Sequence, residues 1–284
     1  MISAKFDYVR PSSLDEAVRE LASGDEAKAI AGGQSLLPLL RLRLAYPEKL
    51  VDLGGLDSLR GVRDAGPALE IGALTTYYDV VRDPLVRAHC GLLAQAAATI
   101  ADPAVRHRGT IGGGIAHADP AGDLPAVITA LDATLVAVGP SGTREIKPGD
   151  FFADFLTTTL APGEILTSVR VPKLDGWGYR YEKFNVTAQA WALVGVAAVA
   201  RRANGHVAEA RVGLTNMGTV PVRARGVEAA AAGAEASAAA LAAAAAHADE
   251  GTSPPSDLRA DADYRRHLAR VLTGRALAAA AGAS

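Results

Sequence analysis

Ala31-Gly32-Gly33-Gln34-Ser35 and Thr110-Ile111-Gly112-Gly113-Gly114 are the stretches on which the reading of this chain turns. The first follows a short strand, Lys28–Ala31; the second runs into Ile115-Ala116-His117-Ala118-Asp119-Pro120. Consecutive glycines let backbone amides approach an anion closely and form a concave nest for phosphate oxygens. Gln34, Ser35 and Thr110 add side-chain donors to such a nest. The same residues also suit two tight structural turns, and both readings stand at this point. A Rossmann fingerprint fails. Asp52 lies about twenty residues after Gly33, where a ribose-binding acid belongs. Yet Gly32-Gly33-Gln34-Ser35 is not G-x-G-x-x-G, and Pro38 obstructs the helix that should hold a pyrophosphate. No G-x-x-x-x-G-K-[ST] run occurs, which excludes a P-loop.

Outward from these stretches the chain alternates strands and helices. Phe6–Val9 reads as a strand stopped by Pro11, and Ser13 with Glu16 three residues on forms a capping-box pattern. Leu14, Ala17, Val18, Leu21 and Ala22 then repeat at helical spacing. Leu50–Leu53, Leu69–Ile71 and Leu135–Val138 are short apolar runs bounded by Gly or Asp, hence strands. Asp83-Pro84 opens a helix running through Leu93, and Asp123 is placed to cap another carrying Leu124, Val127, Ile128 and Leu131. Ile165–Val171 is a strand closed by Pro172, and Lys173-Leu174-Asp175-Gly176 reads as a linker. Beyond it Tyr179–Phe184, Ala192–Arg201 and Ala208–Leu214 read as three strands, followed by Ala-rich helices over 227–248 and 261–281. The first region, about 170 residues up to the linker, reads as mixed α and β, and the smaller second domain, three strands then two helices, has an α+β order.

Composition narrows the function. Hydrophobic residues make up 49% and charged residues 21%, the balance of a globular chain rather than a disordered one. Net charge is −2, against nucleic acid as the main partner, since phosphate binding rests on clustered Lys and Arg. Residues 229–248 hold 15 alanines but Leu241 as their one large aliphatic residue, so they read as a packed helix, not a membrane span. The start, with Lys5, Asp7 and Arg10, lacks the apolar core of a signal peptide, and a cytoplasmic protein is expected. Cys90 is the single cysteine, read as a buried inert thiol in an apolar helix. One thiol cannot hold an iron–sulfur cluster or a four-thiolate zinc. His107, His117 and Asp119 match no metal-ligand spacing, and Arg106-His107-Arg108 either neutralises a phosphate or is solvated.

Taken together, Ala31–Pro38, Ile71-Gly72-Ala73-Leu74-Thr75-Thr76, Arg108–Gly113 and His117–Pro125 resemble the medium, flavin-binding subunits of molybdenum hydroxylases, in the carbon monoxide dehydrogenase and xanthine dehydrogenase family. The resemblance covers essentially the whole chain. It implies an α+β fold with FAD in a two-part domain of the vanillyl-alcohol-oxidase (PCMH) type over 1–174, with subdomains of about 1–56 and 57–174, followed by a smaller α+β C-terminal domain over 177–284 with a three-stranded sheet and helices. It implies that Ala31, Gly32, Gly33, Gln34, Ser35, Thr110, Ile111, Gly112, Gly113 and Gly114 hold the pyrophosphate and ribityl regions, and that Asp123, Leu166 and Lys183 contact FAD. It implies a large partner carrying the molybdenum cofactor and a small partner with [2Fe–2S] clusters, in a dimer of heterotrimers, with electrons passing through FAD to an outside acceptor. No catalytic residue of substrate chemistry is expected in this chain.

Local readings stand beside these roles: helix capping for Asp123 and a surface charge for Lys183. Trp191 is expected either to pack on the isoalloxazine or to be an ordinary core tryptophan. Gly114 departs from the Ser, Asp or Asn more common in the family, and His107 from Asn. Two other classes remain, a stand-alone FAD oxidoreductase and a flavin-free scaffold.

Overall fold

Ser13 begins the first helix through its hydroxyl, which accepts the Glu16 amide at 3.2 Å. Glu16 turns its carboxylate to Ser12 instead of Ser13, accepting that residue's amide at 2.8 Å and its hydroxyl at 2.7 Å. The capping box is thus completed one residue early. The structure, a computed structural model, describes residues 2–24 and 26–283. Its first layer comprises β1 (Asp7–Val9), α1 (Leu14–Ala22), β2 (Ala27–Ile30), α2 (Leu36–Arg41) and β3 (Lys49–Asp52). The strands pair in the order β1-β3-β2, all parallel. Ala17, Val18 and Leu21 of α1 bury against a core shared with Val51, Leu53 and Leu74. Contrary to the sequence expectation, Pro38 does not obstruct α2. It sits in the first turn, where its missing N–H would have had no helical acceptor anyway.

A second layer follows: β4 (Val62–Asp64), β5 (Ala68–Gly72), α3 (Tyr77–Arg82), α4 (Pro84–His89), α5 (Gly91–Ala98), α6 (Pro103–Arg106), α7 (Ile111–His117) and α8 (Asp123–Ala130). It continues through β6 (Thr134–Gly139), β7 (Gly142–Ile146), α9 (Pro148–Phe151), β8 (Phe152–Asp154), β9 (Thr157–Thr158) and β10 (Ile165–Pro172). The main sheet is antiparallel, in the order β4-β5-β10-β6-β7. Most helices here start on a side-chain cap: Thr76 for α3, Asp83 for α4, Asp102 for α6 and Thr110 for α7. The helix expected from Asp83 through Leu93 is broken at Cys90, whose φ of −147° ends α4 and starts α5. Its thiol is buried in the main core, and burial pushes its pKa up to about 12.

The C-terminal domain has β11 (Gly178–Phe184), β12 (Val194–Ala203), β13 (His206–Thr215), β14 (Val222–Arg223), α10 (Arg225–Ala231), α11 (Ala238–Ala245) and α12 (Ala262–Ala280). The sheet is antiparallel, β11-β12-β13-β14, so a two-residue edge strand joins the three expected from sequence. Both faces are covered along residues 194–200, which explains why that part of β12 is apolar without alternation, while Arg201 and Arg202 at its end are exposed. Val194, Val196, Ala198 and Ala200 join the core under α10–α12, while Ala197 and Val199 join the core of the first domain. The expected helix over 227–248 is interrupted: Gly233 takes φ +78°, and residues 233–236 bond to the β12–β13 turn through Gly233 N to Val207 O, Val207 N to Ala234 O and Ala236 N to Gly205 O. Alanine's helix propensity is weaker than these backbone bonds along a sheet edge. Among the described residues no helix is long and apolar enough to cross a membrane.

The two domains meet along β11 and α5. Tyr179, Tyr181 and Lys183 share one face of the strand. Opposite them lie Gly91, Gln95 and Thr99: the Tyr179 ring occupies the space a Gly91 side chain would need, the Tyr181 amide donates to Gln95 Oε1 at 2.7 Å, and Lys183 Nζ donates to the Thr99 carbonyl at 3.3 Å. Two strand residues advance roughly 6.6 Å and four helical residues about 6 Å, so the two repeats stay in step over this length. Gly213 of β13 lets the sheet approach α8 closely, since a Cβ there would stand 2.2 Å from the Ala126 carbonyl oxygen.

Candidate functional site

The loop after β2 and the start of α7 are in backbone contact. A side chain on Gly32 would meet the Arg108 carbonyl oxygen at 2.1 Å and the Gly109 Cα at 2.9 Å. Gly33 has φ +74°, which turns the loop into α2. The amides of Gly32, Gly33, Gln34 and Ser35 donate to no protein acceptor among the described residues. Four consecutive amides are thus left without a protein acceptor, which is what an anion nest requires of its donors. Gln34 spends one amide hydrogen on the Gly32 carbonyl (3.1 Å), and the Ser35 hydroxyl makes no cap bond.

The second glycine stretch has a different construction from the turn expected. Thr110 is an N-cap whose Oγ1 accepts the Gly113 amide at 3.1 Å, and Gly112–Gly114 lie in the first turns of α7. Ile111 N donates to Thr75 O and Gly112 N to Ala73 O, both at 2.9 Å, and Gly114 N donates to Thr110 O at 3.0 Å. These amides are therefore spent within the protein. The glycines act instead by lacking side chains. A Cβ on Gly112 would stand 2.4 Å from that of Ala73, and one on Gly114 would stand 2.1 Å from the Tyr77 hydroxyl oxygen. Gly113 stays exposed, its Cβ position 3.6 Å from Ala31 Cβ across the gap between the two stretches. Among the described residues Leu166 makes no hydrogen bond to either stretch, and it is its neighbour Thr167 that touches this assembly. The Leu166 side chain is in the core, but β10 bulges between Leu166 and Ser168, and Thr167 O accepts the Ala73 amide at 2.9 Å.

Asp123 and Lys183 come together across the domain seam. Lys183 Nζ donates to Asp123 Oδ2 at 2.9 Å, with side-chain exposures of only 7% and 5%. Tyr181 donates its hydroxyl to Asp123 Oδ1 at 2.5 Å. Burial pushes the Asp123 pKa up, and the Lys183 ammonium and Tyr181 hydroxyl pull it back down. The capping reading of Asp123 gives way here: Gly122 is the N-cap of α8, and both Asp123 oxygens accept from β11. The surface-charge reading of Lys183 likewise gives way to a buried ion pair.

Trp191 is not a core residue. It is 51% exposed, in the connection between β11 and β12. Asn216 ties that connection to the first domain, its amide donating to the Pro120 carbonyl at 2.7 Å and its Nδ2 to the Ala192 carbonyl at 2.9 Å. The remaining sequence candidates separate. Arg106 places its guanidinium on the carbonyls of Ile100 and Ala101, and His107 stacks on the Tyr78 ring at 3.8 Å. Asp52 accepts the Gly54 amide and the Tyr8 hydroxyl, so its role is local. Sequence reasoning missed Tyr77, Gln95 and Tyr181. Gln95 did carry a signal, as a polar residue within the apolar run Leu92–Ala98.

An extended anionic dinucleotide fits these residues: the loop carries four amides without protein acceptors, Gly113 leaves a gap bare of side chains beside Ala31, and the Lys183–Asp123 pair lies at the seam. Comparison with known proteins agrees. The sequence model of the family described as "FAD binding domain in molybdopterin dehydrogenase" matches residues 4–174, and that of "CO dehydrogenase flavoprotein C-terminal domain" matches 179–280. The chain is 42% identical over 282 residues to the carbon monoxide dehydrogenase medium chain of Hydrogenophaga pseudoflava, covering 99% of this chain and 98% of the relative. It is 37% identical over 276 residues to the glyceraldehyde dehydrogenase medium chain of Sulfolobus acidocaldarius, covering 97% and 98%. Carbon monoxide dehydrogenase from Hydrogenophaga pseudoflava matches in structure with a TM-score of 0.96 at 43% identity, covering 99% of this chain and 98% of that one. The chain therefore belongs to the FAD-binding medium subunits of molybdopterin-dependent oxidoreductases, the carbon monoxide dehydrogenase and xanthine dehydrogenase family.

Proposed function

We propose that this chain is the electron-transfer subunit of a cytoplasmic molybdenum hydroxylase complex, holding FAD in a domain over residues 1–174 and closing on it with a domain over 177–284. The observation that carries the reading is the row of four amides without protein acceptors, Gly32 to Ser35, in a loop whose Ala31 lies 3.6 Å from the Cβ position of exposed Gly113. Bound FAD supplies the redox chemistry, taking up electrons and releasing them to an acceptor. The residues supply the rest. The Ala31–Ser35 loop holds the diphosphate by backbone hydrogen bonds, with the Gln34 and Ser35 side chains as further donors. Thr110 to Gly114 form the opposite wall, where Gly113 allows close approach and the Thr110 hydroxyl keeps its proton free to donate. Asp123 and Lys183 hold one end of the cofactor at the seam, and Leu166, next to the Thr167 carbonyl that binds Ala73, is a further contact. Trp191, on the segment tied to Pro120 by Asn216, covers the flavin from the C-terminal domain.

With Cys90 alone, buried in the core, the chain cannot itself ligate iron–sulfur clusters. Electrons reach it from a small [2Fe–2S] partner, and substrate is hydroxylated at a molybdenum cofactor in a large partner, within a dimer of heterotrimers. Substrate choice lies in that large partner: the two medium chains compared above serve enzymes named for carbon monoxide and for glyceraldehyde. The test is reconstitution of the purified chain with FAD. Stoichiometric uptake with a flavin absorbance band, and no turnover of small-molecule substrates by the chain alone, is expected. A chain that takes up no FAD overturns the reading, and substrate turnover by the isolated chain makes it a stand-alone oxidoreductase.

A further inference from the structure

Tyr181 carries a hydroxyl in the seam that none of the roles above uses. Its side chain is buried, 4% exposed, and its position is fixed from three sides. Its amide is held by Gln95 Oε1 at 2.7 Å. Its hydroxyl is held by Asp123 Oδ1 at 2.5 Å. Gly195 on β12 leaves the phenol room, since a Cβ there would stand 2.6 Å from the hydroxyl oxygen. Lys183 has two acceptors, Asp123 Oδ2 at 2.9 Å and the Thr99 carbonyl at 3.3 Å, so its ammonium is centred only while the carboxylate keeps its orientation. An aspartate carboxyl rotates easily about its last torsion, and one donor alone leaves that rotation open. Tyr181 supplies the second donor.

We propose that Tyr181 is a positioning residue for the cofactor site: its hydroxyl locks the Asp123 carboxylate, and through it holds the Lys183 ammonium in place for FAD at the domain seam. This rests on the reading of the chain as an FAD subunit. Three features support it. Tyr181 and Lys183 sit two residues apart on one strand face, so the two donors reach the two oxygens of one carboxylate without strain. Burial of Asp123 makes both donors necessary, because a buried carboxylate with an unmet oxygen is costly. Asp123 is on the first domain and both donors on the second, so what fixes the carboxylate also fixes how the domains close around the cofactor.

The test is a double-mutant cycle on the full chain, read by FAD titration and by the flavin midpoint potential. Tyr181→Phe keeps the ring and removes the hydroxyl. It is expected to weaken FAD binding about tenfold, the consequence of losing one hydrogen bond to a charged group. It is also expected to lower the midpoint potential, because a displaced cation stabilises the reduced, more negative flavin less. Lys183→Met is expected to shift both readouts in the same direction and further. The double variant should be no worse than Lys183→Met, because Tyr181 acts through the carboxylate and lysine. Asp123→Asn replaces Lys183→Met in the cycle if that variant does not fold. Wild-type affinity and potential in Tyr181→Phe, or effects that add fully in the double variant, overturn the proposal. Failure of the wild-type chain to bind FAD is a separate result and overturns the functional reading beneath it.

Discussion

Gly32→Ala tests whether the two glycine stretches are pressed together as described. The new methyl would lie 2.1 Å from the Arg108 carbonyl oxygen and 2.9 Å from the Gly109 Cα. Both are backbone atoms, so no side chain can swing aside, and the Ala31–Ser35 loop must lift by roughly an ångström. Overpacking of this kind costs about 2 kcal/mol, a fall of roughly 4–8 °C in Tm for a chain of this size. The lifted loop also carries away the four unspent amides. Losing even one charge-assisted hydrogen bond to a diphosphate weakens binding by about tenfold or more. The assay pairs thermal unfolding of the FAD-free chain with FAD titration, using Gly149→Ala as control. Gly149 lies in α9 with nothing within 4 Å of its Cβ position, so alanine there should change stability by less than about 1 kcal/mol and leave FAD binding alone. If Gly32→Ala matches this control in both Tm and FAD affinity, the close contact and the amide nest built on it are wrong.

Other expectations follow from single contacts. Gly114→Ser should cost about 1–3 kcal/mol because the Tyr77 hydroxyl fills the space, and Tyr77→Phe should recover much of that loss in the double variant, measured by denaturant unfolding. Cys90, with its thiol pKa pushed up by burial, should resist alkylation at neutral pH until the chain unfolds, so labelling should track global unfolding. Glu164 is held by Arg144 through bonds of 2.6 and 2.7 Å, and this guanidinium, with the Ala161 amide, draws its pKa below the usual carboxylate value. A lowered acid pKa contributes stability above the unfolded pKa and loses it as pH falls through the folded one. Glu164→Gln should therefore destabilise by about 1 kcal/mol at neutral pH, with the gap closing in acid; a gap that persists unchanged in acid refutes the pairing.

The sequence was most legible where one local signal had one structural meaning. The strands β3, β5, β6 and β10 lie within two residues of their apolar runs, and Ser13 caps where it should. Glycine chemistry alone pointed to the Gly32–Ser35 loop, whose amides have no protein acceptor among the described residues. Legibility failed where a distant segment decided the outcome. Nothing near Gly112 announces that Ala73 and Thr75 take the amides of Ile111 and Gly112, so a helix start looked like a turn. The Ala-rich run breaks at Gly233 because the β12–β13 turn, over twenty residues earlier, accepts its backbone. Asp123 looked like a cap because capping is local, whereas its two donors lie on β11. Lys183 was placed only by family resemblance, since its neighbours in sequence suggest an exposed strand end.

The matching repeats of β11 and α5 limit how this chain can be recombined with its relatives. Removing one residue inside β11 turns Tyr181 and Lys183 to the opposite face, while removing two carries each a full helical turn along α5. Neither shift can be absorbed locally, because three pairings are set at once. A chimaera that exchanges the C-terminal domain should therefore be cut in the linker around Lys173–Gly176, with the whole of β11 kept together with its own sheet. Junctions placed inside the strand would join two correct halves in the wrong register.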